Sequence, residues 1–342
     1  MTTFITPALR GLAVAAAVAF GGLAQAETLT IASPGVALHF YPFYVAEKAG
    51  LFAEEGIELD WVDVGSGSKQ IAAVAGGSAE MAVVGMQAAI SARQNGADLV
   101  SIAALFNAYP IQLVLSNAAL EKSGIDPAMP IDEKVAKLKG LNIAVTGIGS
   151  TTDVLLRSWF KARGMDPDTE ITIQPLGNPG AMYAAFEQGQ VDGFMLGAPF
   201  TQKAELEGLG KTAIDPLDGG IPELEDVPYT AIITNERTVA AKPELLQKSL
   251  NALARAMKLT KEDPEKVQGL IKEYFPDTPD AAYQAFEPKF RANAATTPVL
   301  TQAEYDNLLK WIAITSSDKL DVAYDAFVVP TFADKAAGDI LK

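Results

Sequence analysis

Gly65-Ser-Gly-Ser-Lys-Gln-Ile-Ala-Ala-Val-Ala-Gly-Gly-Ser-Ala-Glu-Met-Ala-Val-Val-Gly85 returns, without a gap, as Gly177-Asn-Pro-Gly-Ala-Met-Tyr-Ala-Ala-Phe-Glu-Gln-Gly-Gln-Val-Asp-Gly-Phe-Met-Leu-Gly197. Gly65 meets Gly177, Ala72-Ala73 meet Ala184-Ala185, Gly77 meets Gly189, Glu80 meets Asp192 and Gly85 meets Gly197. The segments just before them, Leu59 to Val64 and Ile171 to Leu176, correspond as well. Glycines, acids and an apolar run matched at one offset of 112 residues point to two lobes built on one plan.

The neighbourhood of the first copy shows what that plan is. Thr28 to Ser33 is a short apolar run ended by Pro34-Gly35, which predicts a strand and a sharp turn. His39 to Gly50 reads as a helix, with Pro42 in the first turn and Gly50 as the stop. Ile57 to Val64 alternates apolar and polar like a half-buried strand. Lys69 to Ala75 follows as a helix, and Met81 to Gly85 as a buried strand. Strand, helix, strand, helix, strand is the pattern of a parallel sheet covered by helices. Ligands of open α/β sheets sit beyond the carboxyl ends of the strands, so two such lobes would enclose a cleft with a Gly-rich turn on either wall.

Bulk properties narrow the function. Residues 1–26 read as a cleaved signal peptide: Arg10, an apolar Gly11 to Phe20 core too short to span a bilayer, and Ala24-Gln25-Ala26 as cleavage site. The chain has no cysteine, which excludes disulfides and a lipid anchor on a new N-terminal cysteine, so a soluble periplasmic location is expected. The formal charge of −15 becomes −16 once Arg10 is removed, and such a surface disfavours nucleic acid and anionic lipid. The mature length exceeds one simple core and calls for two domains.

Further along, 99–103, 111–116, 141–145 and 229–234 read as strands, and 131–139, 153–163 and 202–207 as helices. The Pro- and Gly-rich 215–228 is a surface loop. From Pro243 the chain turns helical over 243–261, 264–274, 279–290 and 302–315, giving a helical cover packed on one lobe. The strands at 111–116 and 229–234 are read as a paired hinge. Lobe 1 then comprises 27–112 plus 233–342, and lobe 2 comprises 113–232.

This arrangement resembles the periplasmic solute-binding proteins of ABC importers, in the branch that binds sulfonates, taurine or nitrate, or pyrimidine precursors of thiamine. The resemblance rests on Tyr41 to Phe52, Gly76 to Ala82, Gly149-Ser-Thr-Thr152 before Leu155-Leu156, Gln188 to Gly193 and Ala198-Pro-Phe200. It implies a type II two-lobed α/β fold, each lobe a mostly parallel sheet flanked by helices. It further implies a cleft that closes on ligand by hinge motion, and a monomer that docks on a permease with its ATPase. Asp153 and Leu196-Gly197-Ala198 depart from the sulfonate branch. An ionised Asp153 beside the cleft is expected to disfavour a small anion and to favour a neutral or amine-bearing ligand.

Candidate ligand contacts follow from strand ends and turns. Ser150, Thr151 and Thr152 open a helix whose free N–H groups and hydroxyls suit an anion or carbonyl; the alternative is a plain cap, Ser150 with Asp153 three residues on. Ser66, Gly67 and Lys69 form the opposite wall, Lys69 meeting either a ligand anion or only solvent. His39, the single histidine, is either a cleft residue or ordinary packing, and alone it builds neither a metal site nor a triad. Tyr41, Met86, Asn107, Tyr109, Asn178, Phe200 and Tyr229 complete the set by position; aromatic plates with a few amides and hydroxyls suit a small flat or zwitterionic ligand. The sequence has no G-x-S-x-G and no H-E-x-x-H, and Gly147-x-Gly149 lacks the third glycine of a dinucleotide fingerprint. Binding without catalysis, cofactor or metal is therefore expected. The alternatives are a periplasmic sensor or adaptor for a membrane receptor, and a catalytic relative of the pyrimidine-synthase enzymes that share this fold.

Overall fold

The computed structural model describes residues 26–342 apart from 37, 277 and 316–319, so the expected signal peptide lies, except for Ala26, outside the described residues. Ten strands, β1 (Glu27–Ser33), β2 (Ile57–Asp63), β3 (Met81–Gly85), β4 (Val100–Phe106), β5 (Gln112–Ser116), β6 (Asn142–Val145), β7 (Thr172–Pro175), β8 (Gly193–Leu196), β9 (Gly210–Ile214) and β10 (Thr230–Thr234), form two five-stranded sheets. Their orders are β2-β1-β3-β10-β4 and β7-β6-β8-β5-β9. In each, four strands run in one direction and the fourth in order, β10 or β5, runs antiparallel to both neighbours, so both sheets are mixed and mostly parallel.

The 112-residue repeat persists at the level of single hydrogen bonds. Glu80 Oε2 accepts from Thr30 N at 2.8 Å, and Asp192 Oδ2 accepts from Asn142 N at the same distance. Val64 N donates to Ser33 O at 2.8 Å; its counterpart Leu176 N donates to Val145 O at 3.0 Å. Each carboxylate thus satisfies a strand N–H, within β1 in one lobe and at the start of β6 in the other. Burial acts to raise the Glu80 carboxyl, but the Lys242 ammonium and the Thr30 N–H outweigh it and hold the group below the usual range. Gly65 and Gly177 both carry positive φ (75° and 86°) where the chain turns from strand into helix, a conformation that glycine adopts without a Cβ penalty.

Those turns launch equivalent helices. Gly67–Gly76 begins at Ser66, whose side chain accepts from Lys69 N, and ends at left-handed Gly77. Pro179–Glu187 begins at Asn178, whose side chain accepts from Ala181 N, with proline in the first turn. One apolar cluster runs through both lobes, including Val84 and Ile233 of the first sheet, Leu113 and Val145 of the second, and the fully buried Trp159 and Trp311. Separate clusters fill the outer faces, that of the first lobe using the helices Tyr41–Lys48, Pro243–Glu262 and Thr331–Ile340.

Three expectations require correction. The strands at 111–116 and 229–234 do not pair with each other: β5 lies between β8 and β9, and β10 lies between β3 and β4. Gln112 therefore sits in the second sheet and residues 230–232 in the first, and the chain crosses between sheets at 107–111 and 215–229. The C-terminal cover also does not rest on one lobe. Helix Gln302–Thr315 packs on second-lobe helix Thr151–Lys161, where Lys161 Nζ donates to Thr315 O at 2.8 Å. Lys289, on helix Asp280–Asn293, pairs with Asp215 and Asp218 of the second crossing, each at 2.6 Å.

Candidate functional site

A cavity of about 800 Å³ lies where the carboxyl ends of the strands of both sheets converge. Three helices present their first turns to it. Ser66, Gly67 and Ser68 come from the turn after β2, Met86, Gln87 and Ala88 from helix Met86–Gln94 directly after β3, and Ser150, Thr151 and Thr152 from the turn after β6. First-turn N–H groups have no intrahelical acceptor, and they carry the positive end of the helix dipole. The rest of the lining is apolar or uncharged, including Ile71, Val84 and Val154, and among the described residues no Asp, Glu, Lys, Arg or His belongs to it. A site of this kind holds a polar, electron-rich group by N–H and O–H donors and an organic body by contact.

Each chain crossing carries a tyrosine into the lining, Tyr109 and Tyr229, and these form the floor. Tyr109 and Tyr229 rings lie 4.8 Å apart, and Tyr109 lies 5.0 Å from Trp311. Tyr229 is held between strands, its N donating to Phe106 O while its O accepts from Met86 N. Burial pushes the Tyr229 phenol up to about 12, and burial with the neighbouring Tyr229 pushes Tyr109 well above its ordinary value. Both remain protonated at neutral pH. Neither hydroxyl has a hydrogen-bond partner among the described residues, so both are available as donors to a solute.

The turn after β6 is tied internally. Thr152 Oγ1 accepts from Thr146 N at 2.9 Å, and Ser150 Oγ lies 2.8 Å from Thr152 Oγ1. Ser150 is also the helix cap, accepting from Asp153 N at 3.4 Å, so the cap and the cavity wall are the same residues. Thr151 is exposed, with its hydroxyl unengaged. Asp153 lies behind this wall and is not itself in the lining. Its carboxylate, 2% exposed, accepts from Gly149 N at 2.8 Å and pairs with Arg157 at 2.6 Å, which in turn pairs with Asp168. Its charge is compensated locally, which removes the expected bias against an anion.

Of the sequence candidates, Ser66, Gly67, Met86, Tyr109, Ser150, Thr151, Thr152 and Tyr229 line this one cavity. The other six do not. Tyr41 is fully buried and donates to Glu287 Oε1 at 2.5 Å; burial and that carboxylate raise its pKa, and it belongs to the first lobe's core. His39 is half-buried against Phe40, its ring 6.3 Å from Tyr229, and burial lowers it from its ordinary 6.5 to about 4. Lys69 is exposed and contributes its backbone N–H to the Ser66 cap. Asn178 caps its own helix, and Phe200 packs on Tyr183 with ring centres 5.9 Å apart. Asn107 is half-buried with Oδ1 lacking a partner among the described residues, and it is not in the lining.

Sequence reasoning missed Gln87, Ser91 and Asn95, because helix Met86–Gln94 follows β3 with neither a side-chain cap nor a turn signal. The strand-to-helix junction at Gly85 was the one available cue. Among the described residues no cluster of three or more His, Cys, Asp or Glu is placed to hold a metal ion, and no helix is long and apolar enough to cross a membrane.

Comparison with known proteins places this geometry. A family model described as the NMT1-like family matches residues 29–275. The chain is similar to the putative binding protein YtlA of Bacillus subtilis, 23% identical over 324 residues and covering 92% of each chain. It is similar to the taurine-binding periplasmic protein of Escherichia coli, 27% identical over 283 residues, 76% of this chain and 81% of that protein. Among solved structures it resembles the ligand-binding component of an ABC-type import system from Staphylococcus aureus, with TM-score 0.69, 16% identity, and coverage of 91% of this chain and 99% of that one. At that identity the structural likeness establishes a shared fold.

Proposed function

Because this chain belongs to the NMT1-like family, we propose that it captures a small organic solute between its two lobes and delivers it, in the periplasm, to the permease and ATPase of an ABC-type importer. The observation that carries the reading is the cavity of about 800 Å³ lined from both sheets, with hydroxyls, amides and three helix starts but no charged side chain. Such a lining supports reversible capture. It offers donors without the acid–base pair or nucleophile that turnover requires. The relatives named above are binding proteins, which agrees with capture without catalysis. The two crossings at 107–111 and 215–229 form the hinge in this reading, and closure completes the contacts on both walls. Sulfonate-, taurine- and nitrate-like anions and pyrimidine-like compounds are the solutes to test, since the Asp153 charge is already compensated by Arg157.

Thermal-shift screening of the purified protein against taurine, alkanesulfonates, nitrate and pyrimidines identifies the solute, and titration calorimetry then measures it against Ser66→Ala and Thr151→Ala. Each lost hydrogen bond to a buried solute costs about 1–3 kcal/mol, so each variant should bind roughly 5- to 150-fold more weakly. Unchanged affinity in both variants would remove the cleft as the binding site. Recovery of a chemically altered solute would replace capture with catalysis.

A further inference from the structure

Val36 and Ile148 are the two most exposed large apolar side chains among the described residues, at 59% and 64%. They are also the same position of the repeat, separated by the 112 residues that separate Gly65 from Gly177. Each stands in the first turn after the first strand of its repeat unit, Val36 following β1 and Ile148 following β6. Glycines hold both out: Gly35 precedes Val36 with φ 99°, and Gly147 and Gly149 flank Ile148, Gly149 with φ 75°. Gly149 and the adjoining Ser150 line the cleft cavity, so Ile148 sits at its rim.

A single exposed aliphatic residue on a protein surface needs no explanation. Two at one repeat position, each on a glycine-held turn at the carboxyl end of a central strand, are a different matter. The repeat gives the two turns equivalent places in the two lobes, and on that pseudo-symmetry Val36 is the counterpart of Ile148 on the other side of the cleft. Neither is among the described residues that line the cavity or that pack into the apolar clusters. We propose that Val36 and Ile148 are the contact pair of the closed form: they meet across the mouth of the cleft when the lobes close, and they seal the solute from water. The proposal rests on the capture reading, because it requires the lobes to move. It adds which residues complete the closed state. An apolar seal also suits a cleft without charged groups, since it contributes to closure independently of the solute's charge.

The absence of cysteine makes the test direct. A disulfide forms only when two Cα atoms come within about 7 Å. Val36→Cys with Ile148→Cys forms the lip pair, and Ser66→Cys with Thr151→Cys forms a wall pair across the same cleft. Both double variants are incubated with oxidised glutathione and no added solute, then scored for intramolecular cross-linking and for particle size by small-angle scattering. The expected result is a cross-linked lip pair whose radius of gyration is smaller than that of its reduced form. A wall pair that cross-links while the lip pair does not would overturn the seal and leave hinge closure standing. A lip cross-link without contraction would overturn it as well, because the two residues would then meet without closure. If neither pair cross-links, the seal is overturned, and capture is judged separately by the calorimetry of Ser66→Ala and Thr151→Ala.

Discussion

At the end of β1 the chain places His39, Phe40 and Tyr41; at the same three positions after β6 it places Thr151, Thr152 and Asp153. The last of each set turns inward to a charged partner, Tyr41 to the buried Glu287 and Asp153 to the half-buried Arg157. The first two differ in kind, since one lobe packs an imidazole on a phenyl ring and the other presents hydroxyls at a helix start. Elsewhere in the repeat the carboxylate-to-strand bond, the turn glycines and the sheet order coincide. Positions that build the frame are held in common, and positions that face the cleft are where the halves part. Position 41/153 looked like a cleft position in both halves and is a frame position in both.

Glycine substitutions give the sharpest break in that comparison. A Cβ on Gly197 would lie 2.4 Å from Pro110 O, whereas one on its counterpart Gly85 meets nothing within 4 Å. Gly197→Ala should cost about 3 kcal/mol, since the obstacle is backbone, and Gly85→Ala about 0.5 kcal/mol or less. Urea denaturation of the two variants measures both, and equal losses would mean that the halves are framed alike here after all.

Removing the shared carboxylate should hurt both lobes by similar amounts. Glu80→Ala and Asp192→Ala each leave a strand N–H without its acceptor, at about 1–2 kcal/mol. Glu80→Ala should be the costlier, because it also strands the Lys242 ammonium held at 2.8 Å. A markedly larger loss for Asp192→Ala in the same denaturation series would break the equivalence.

The smallest effect concerns pH and belongs to one half alone. His39 titrates at about 4 when folded and near 6.5 when unfolded, so its contribution is complete above 6.5 and is lost as pH falls toward 4. Solvent screening at a half-buried ring limits this to about 1 kcal/mol. Melting temperature followed from pH 7 down to about pH 5, above the carboxylate range, should fall in the parent and fall less in His39→Gln. Parallel curves would show that the imidazole is hydrated in the folded protein.

The repeat was legible because a βαβ unit needs glycine at each strand-to-helix turn and apolar runs of fixed length, and both features survive in a single sequence. The strand–helix alternation of both lobes followed from it, and eight of the residues singled out at strand ends and turns line the cavity. What stayed hidden depends on partners remote in the chain. Tyr41 could not be excluded from the cleft without Glu287, 246 residues away. Nothing in Gly210-Lys-Thr-Ala-Ile214 announced β9, whose first residue is glycine because a Cβ there would strike Leu115 O at 2.2 Å. Antiparallel entry of β5 and β10 into otherwise parallel sheets is likewise a matter of assembly, not of local pattern.

The helices after residue 243 bear on how the molecule comes apart. Two lobes joined by two ribbons would be free to melt separately, each at its own temperature. Here helix Gln302–Thr315 lays Trp311 against Tyr109 at the crossing and against the core that Trp159 shares with both sheets, while Lys289 ties the other crossing to helix Asp280–Asn293. The second lobe cannot unfold without stripping a helix from the chain that closes the first. Denaturation should therefore proceed as one cooperative transition, with the end of the sequence setting the cooperativity of a fold that begins as two copies of the same unit.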